Sequence, residues 1–305
     1  MSGPVRDRLA LFLVLGGALL LAAKGIFAKL LYADGVALEA LLVTRAVVSL
    51  PFIWGWAVLR GELARVVAAP RRAIALAALG GFSGYYVGTW FDFRALQLID
   101  ASLERVLLFT YPAIVVLLRA AMLGRWPARR EAAAALVAWI GVVCAVGGPD
   151  ASLWAANGRG AAFVLIAAAT FAVYLLANER VGRTLGSVGF LVVASTAAAV
   201  SLCAHFAATS DFEALVLSPR AWGLLLVMTV FTNVLPLFML SAGIGRIGAA
   251  RAAILTSVGP PATLLMAWLG LGERFGAVQI AGAVLIVAGI AILEYGRAAV
   301  AGTRR

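Results

Sequence analysis

The amino-acid sequence predicts an all-α integral membrane protein, with ten transmembrane helices in two inverted-topology five-helix repeats around a central cavity. Three observations carry this prediction. The 305 residues are 64% hydrophobic and 13% charged, with a mean hydropathy of +1.02, whereas a soluble domain is about 45–50% apolar and about 25% charged. The apolar residues fall in runs of span length. The first half of the chain matches the second at an offset of 148 residues.

The runs lie near 9–31, 40–59, 73–91, 100–121, 131–148, 160–178, 186–208, 221–241, 247–270 and 275–294. One helical span takes about 20 apolar residues, so ten leave no room for a separate soluble domain. Strands of a membrane barrel would alternate apolar and polar residues. Stretches such as Ala132 to Val146 and Ile280 to Leu293 do not alternate. They are apolar all round, as lipid-facing or bundle helices are. Arg6 and Arg8 before an apolar run ending Leu21-Ala22-Ala23 resemble a signal peptide, but cleavage would leave nine spans and break the repeat.

The net charge of +11 comes from 25 Lys and Arg against 14 Asp and Glu. With the N-terminus inside, 17 basic residues fall on the cytoplasmic side, including Arg71, Arg72, Arg125, Arg129 and Arg130. Four fall on the other side: Arg94, Arg159, Arg220 and Arg274. This asymmetry is a positive-inside signal, which puts both termini in the cytoplasm and argues against a nucleic-acid surface.

In the repeat, Ala101 falls on Ala249, Pro112 on Pro260, Gly124 on Gly272 and Gly141 on Gly289. The halves are 1–150 and 151–305, each with five spans. An odd number makes the halves enter the membrane in opposite directions, and in transporters so built the substrate site lies near the midplane between the halves. The charges agree: the connection holding Arg125, Arg129 and Arg130 is inside, and its equivalent at Gly272-Glu273-Arg274 is outside.

Ionisable residues within spans need a partner, water or a function. Lys24 faces either the cavity or a neighbour such as Glu39. Lys29 lies near the outer end of its span, where it can snorkel to the interface. Glu104 and Arg105 form an interfacial pair, together with Asp100 or Arg94, or else Glu104 takes and releases a proton during a cycle. Tyr85 falls on Asn233 under the offset, three residues before Pro236. Such a pair suits either a midplane site or helix-to-helix hydrogen bonding. Tyr111 precedes Pro112, and a proline frees a carbonyl in the preceding turn. Tyr174 and Asn178 are four apart and share a helix face. The candidate substrate-binding set is therefore Lys24, Tyr85, Trp90, Glu104, Tyr111, Tyr174, Asn178 and Asn233. The tryptophans lie mostly near span ends, as in an aromatic belt, while Trp139 and Trp268 are expected in packing. His205, the single histidine, reads as interfacial. Cys144 and Cys203 lie in apolar runs and imply neither a disulfide framework nor a metal site.

Catalytic signatures are missing. The only lysines are Lys24 and Lys29, which excludes a P-loop. There is no HExxH, no CxxC and no GxSxG in a strand–helix setting. No enzyme activity, cofactor or metal is expected.

The run from Ile244 to Leu293 resembles the second repeat of EamA-type proteins of the drug/metabolite transporter superfamily. The residues carrying the resemblance are Ala249-Ala250-Arg251-Ala252, Pro260, Gly272-Glu273, Gly282 and Gly289. Lys29 and Arg45 resemble basic positions of the first repeat, while Arg125 stands where that repeat often has an acid. The resemblance implies ten helices in two inverted five-helix halves around a central cavity and transport of small metabolites, mostly export, amino acids foremost. With the spans and charges it gives a multi-pass inner-membrane secondary transporter working by alternating access in the lipid bilayer, and the carboxylates within the spans make protons the candidate coupling ion. Drugs, nucleosides or other metabolites are the rival cargoes. A non-transporting membrane protein or a membrane enzyme is the rival from another class.

Overall fold

The computed structural model describes residues 4–124, 126, 128–247, 255 and 258–302, and every described element is helical. Arg125 and the Ala249–Ala252 start of the second-repeat motif lie outside the described residues. In chain order the α-helices are α1 (Pro4–Ala22), α2 (Lys24–Ala33), α3 (Leu38–Leu59), α4 (Leu63–Val67), α5 (Arg71–Gly81), α6 (Thr89–Ala95), α7 (Ala101–Leu108), α8 (Tyr111–Met122), α9 (Arg129–Val146), α10 (Ala151–Thr209), α11 (Pro219–Thr229), α12 (Leu235–Ile247), α13 (Gly259–Leu271) and α14 (Ala277–Gly302). Two π-helical turns, Phe82–Gly88 and Val230–Val234, join α5 to α6 and α11 to α12.

Among the described residues, six stretches are long and apolar enough to cross a membrane: Leu9–Ala33, Leu38–Leu59, Ala101–Met122, Ala151–Gly182, Thr184–Thr209 and Pro219–Leu240. Ala132–Val146 and Ala277–Gly289 are apolar but shorter. The stretch 71–95 is not among the six. Ser83, Tyr85, Tyr86 and Thr89 lie at its centre. Two of the six belong to the single 59-residue α10, which breaks at Gly186. There φ is 72°, a left-handed conformation that glycine adopts without strain.

The breaks follow the residues that free backbone groups. α7 ends before Thr110, and α8 restarts with Pro112 in its first turn. α13 likewise starts after Val258 with Pro260 in its first turn. Proline lacks an N–H, so it fits the first turn of a helix, where none is needed. The offset of 148 places Thr110 on Val258 and also Phe82, the start of one π turn, on Val230, the start of the other. The break between α1 and α2 has no such counterpart, since its equivalent falls inside α10. There Thr263 of α13 donates its hydroxyl to the Ala22 carbonyl at 3.0 Å. In a membrane a carbonyl freed by a helix break needs such a partner from a neighbouring helix.

Small residues set the closest contacts. α9 and α14 run antiparallel. A Cβ added at Gly289 would lie 2.7 Å from the Ala134 oxygen and 2.8 Å from the Ala138 nitrogen. One at Gly141 would lie 2.8 Å from the Gly282 oxygen and 2.7 Å from the Ile286 nitrogen. Shifting each number by 148 turns the first set into the second, so the contact is self-complementary, as an interface about a two-fold axis is. Gly81, Gly84 and Gly88 likewise lie against Ala194, Tyr174 and Thr170 of α10. Close backbone approach through small residues is how membrane helices gain packing energy, since lipid already solvates their apolar faces.

Candidate functional site

Among the described residues, two polar features stand out within this apolar bundle. The first is an ion cluster. Lys24, at the start of α2, donates its ammonium to Asp92 of α6, and its Nζ lies 3.3 Å from Glu104 Oε1 on α7. Lys24 therefore pairs with two carboxylates from distant helices rather than with Glu39. Glu104 is 1% exposed and Asp92 is 5% exposed, so both are enclosed by the protein. Lys24 opens α2 just after the break at Ala23, and α6 and α7 carry the Asp92 and Glu104 that meet it. A lone charge at the bilayer centre costs about 2.5–3.5 kcal/mol on insertion scales, and mutual pairing offsets that. One ammonium serves two carboxylates, so the trio carries a single negative charge when both are ionised and none after taking up one proton. Among the described residues Asp92 Oδ1 and Arg105 Nε are buried without a hydrogen-bond partner.

The second feature is a small half-open cavity of about 50 Å³. Arg45 and Ser49 of α3, Tyr85 and Asn233 of the two π turns, and Ser195 of α10 supply its polar wall, and aliphatic side chains such as Leu42 and Leu237 complete it. Ligand sites have this composition: mostly apolar walls with a few placed polar groups. π turns occur disproportionately at functional sites, because the extra residue aims a side chain out of the regular helical rows.

The structure brings several of the expected residues together. Tyr85 and Asn233 share the cavity wall. The Tyr174 hydroxyl donates to that of Tyr85 at 3.2 Å, and their rings are 4.7 Å apart. Tyr174 stacks on Phe171, whose ring meets Tyr111 edge-on at 5.1 Å. An aromatic row thus leads from Tyr111 to Tyr85. Trp90 packs instead in a core cluster with Phe93 and Leu225, its ring 6.2 Å from that of His205. His205 is not solitary, because its Nδ1 lies 2.8 Å from the Tyr86 hydroxyl. Asn178 lies one turn past Tyr174 and is not on the cavity wall. Trp268 is 57% exposed and so faces outward rather than packing inside.

Sequence reasoning left Arg45 out of the site. Its guanidinium lies 4.6 Å from the centre of the Phe93 ring and also lines the cavity. The available signal was a lone arginine inside an otherwise apolar span. Glu273 was likewise read only as part of a turn. Its carboxylate accepts from the backbone N–H of Ala101 at 2.8 Å and of Ser102 at 3.2 Å, and from the Ser102 hydroxyl. It caps α7, where free N–H groups and the helix dipole favour an anion.

The family model for the EamA-like transporter family matches this chain twice, over residues 8–147 and 158–295. The chain belongs to the EamA-like transporter family. It is thus a membrane transporter of the drug/metabolite transporter superfamily. An uncharacterized transporter of Bacillus subtilis (strain 168), YcbK, is 29% identical over 288 residues, covering 89% of this chain and 88% of YcbK. A solved crystal structure shares the fold with a TM-score of 0.59 and 18% identity, over 93% of this chain and 96% of that one.

Proposed function

We propose that this EamA-family member is a multi-pass inner-membrane secondary transporter that exports small organic metabolites, amino acids foremost, by alternating access. Ten spans form two inverted halves, 1–150 and 151–305, with both termini in the cytoplasm. The observation that carries this reading is the pairing of Tyr85 with Asn233. The two are related by the 148-residue offset, each lies in a π turn, and both line one cavity. A midplane site between inverted halves is where such a transporter holds its substrate. The self-complementary contact of α9 with α14 and the two matches to one family model support the division into halves. The prolines of α8, α12 and α13 serve as hinges. The Lys24–Asp92–Glu104 trio is the place for a coupling proton, since it gains neutrality by taking one up. Tyr111, Tyr174 and Asn178 flank the path, and Trp90 supports it from the core.

Counterflow in proteoliposomes with a labelled amino-acid panel tests the assignment. At least one amino acid should exchange, and Tyr85→Ala and Asn233→Ala should each lower flux about tenfold or more while the protein stays folded. No counterflow of any amino acid overturns the cargo. Counterflow of labelled nucleosides or amphipathic drugs would then assign it to the rival class. Normal flux in both variants removes these residues from the site.

A further inference from the structure

We propose that Arg45 is the anion anchor of the cavity and that the transported compound presents a carboxylate to it. This deepens the functional reading above and rests on it for the location of the site. Arg45 is the eighth residue of α3, about 10 Å along the helix axis from its start at a rise of 1.5 Å per residue. Among the described residues it is the only charged side chain on the cavity wall. No described carboxylate lies within ion-pair distance of its guanidinium. Its described contact is the face of the Phe93 ring, a cation–π arrangement. The guanidinium carries five N–H donors in a fixed fork, and no described ion pair takes them up.

A fork of this kind matches the two oxygens of a carboxylate, and the match is bidentate and directional. Tyr85, Ser49, Ser195 and Asn233 surround it with hydroxyl and amide groups, which can orient the remainder of a small polar ligand. The aliphatic wall from Leu42 to Leu237 suits an apolar side chain. A plain charge-balancing role is the alternative. Arg45 would then offset the negative trio from across the Phe93 ring, which Lys24 approaches at 5.4 Å. That role predicts lost stability and no selectivity between anionic and cationic ligands.

Three probes that differ by one charged group separate these cases: L-phenylalanine, 3-phenylpropionate, which lacks the ammonium, and 2-phenylethylamine, which lacks the carboxylate. Binding to the purified full chain in detergent is measured by calorimetry. The two carboxylates should bind and the amine should not. Arg45→Gln should weaken the carboxylates at least tenfold, with Arg45→Lys recovering part of the affinity. Size-exclusion and melting profiles confirm that each variant is folded, and Ser49→Trp, with Arg45 intact, should abolish binding of 3-phenylpropionate as a control on location. Equal carboxylate affinity in wild type and Arg45→Gln overturns the proposal, as does binding of the amine alone or of no carboxylate. Binding of 3-phenylpropionate through Arg45 without amino-acid counterflow keeps the anchor and refutes the amino-acid cargo.

Discussion

Replacing Lys24 by methionine keeps the length of the side chain and removes the charge that Asp92 and Glu104 share. The three side chains are 12%, 8% and 1% exposed, so water cannot take the place of the ammonium. Coulomb attraction across the 3.3 Å between Nζ and the Glu104 oxygen is about 5 kcal/mol at an effective dielectric constant of about 20. Removing one partner from a buried ion pair costs about 3–5 kcal/mol in measured cases, because the other charge is left uncompensated. Lys24→Met should therefore lower stability by roughly 3–5 kcal/mol, or a melting midpoint by about 6–10 °C at about 2 °C per kcal/mol. The triple variant Lys24→Met/Asp92→Asn/Glu104→Gln should recover most of that loss, since neutral groups of the same shape remain. Melting in detergent, followed by tryptophan fluorescence, measures both. A Lys24→Met protein that melts like wild type, or a triple variant no more stable than the single one, would refute the reasoning, for then the trio would not be a coupled unit.

Two further outcomes follow from packing and capping. Gly282→Leu places a branched side chain against the backbone of α9, where even a Cβ would lie 2.6 Å from the Gly141 oxygen. It should cost about 1–3 kcal/mol or more by overpacking, read as a lower melting midpoint, while Gly223→Leu, at a position with open space around it, should not. Asp150 caps α10, and the Ser152 hydroxyl and the Ser152 and Leu153 amides hold its carboxyl below the ordinary value of 3.8. The ionised cap therefore favours the fold above about pH 3.8, and this is lost as the pH falls through the lowered value. Hydrogen exchange at the Ser152 amide should be faster in Asp150→Ala than in wild type at pH 7, and the difference should shrink at strongly acid pH.

Much of this architecture is legible in the sequence, because the membrane imposes its requirements locally. Apolar runs mark helices, and prolines at Pro112 and Pro260 mark where helices restart. The Tyr85–Asn233 relation was readable from the offset alone. The partners of Lys24 were not, since they lie 68 and 80 residues away, and no periodicity records which faces of separate helices meet. Asp92 reads as a span-end residue because Arg94 and Gln97 follow it, yet the helix that carries it ends buried. The two spans read at 160–178 and 186–208 are joined through Gly186 into the 59-residue α10, and no apolar run marks that continuity. Arg45 stands in a single span without a local partner, and the Phe93 ring and much of the cavity wall beside it come from other helices.

The seam between α9 and α14 has a consequence for motion. Its contacts, Gly289 on Ala134 and Gly141 on Gly282, exchange with one another when the two stretches trade places. In the proposed cycle the halves do trade conformations, and a contact that maps onto itself is the same before and after. The seam then behaves as a fulcrum that stores no preference between inward and outward forms. The bias must come from features with no counterpart in the other half, chiefly the break before Lys24 and the ions gathered around it. Substitutions in the seam should weaken both forms alike, and those around Lys24 should tilt the balance between them.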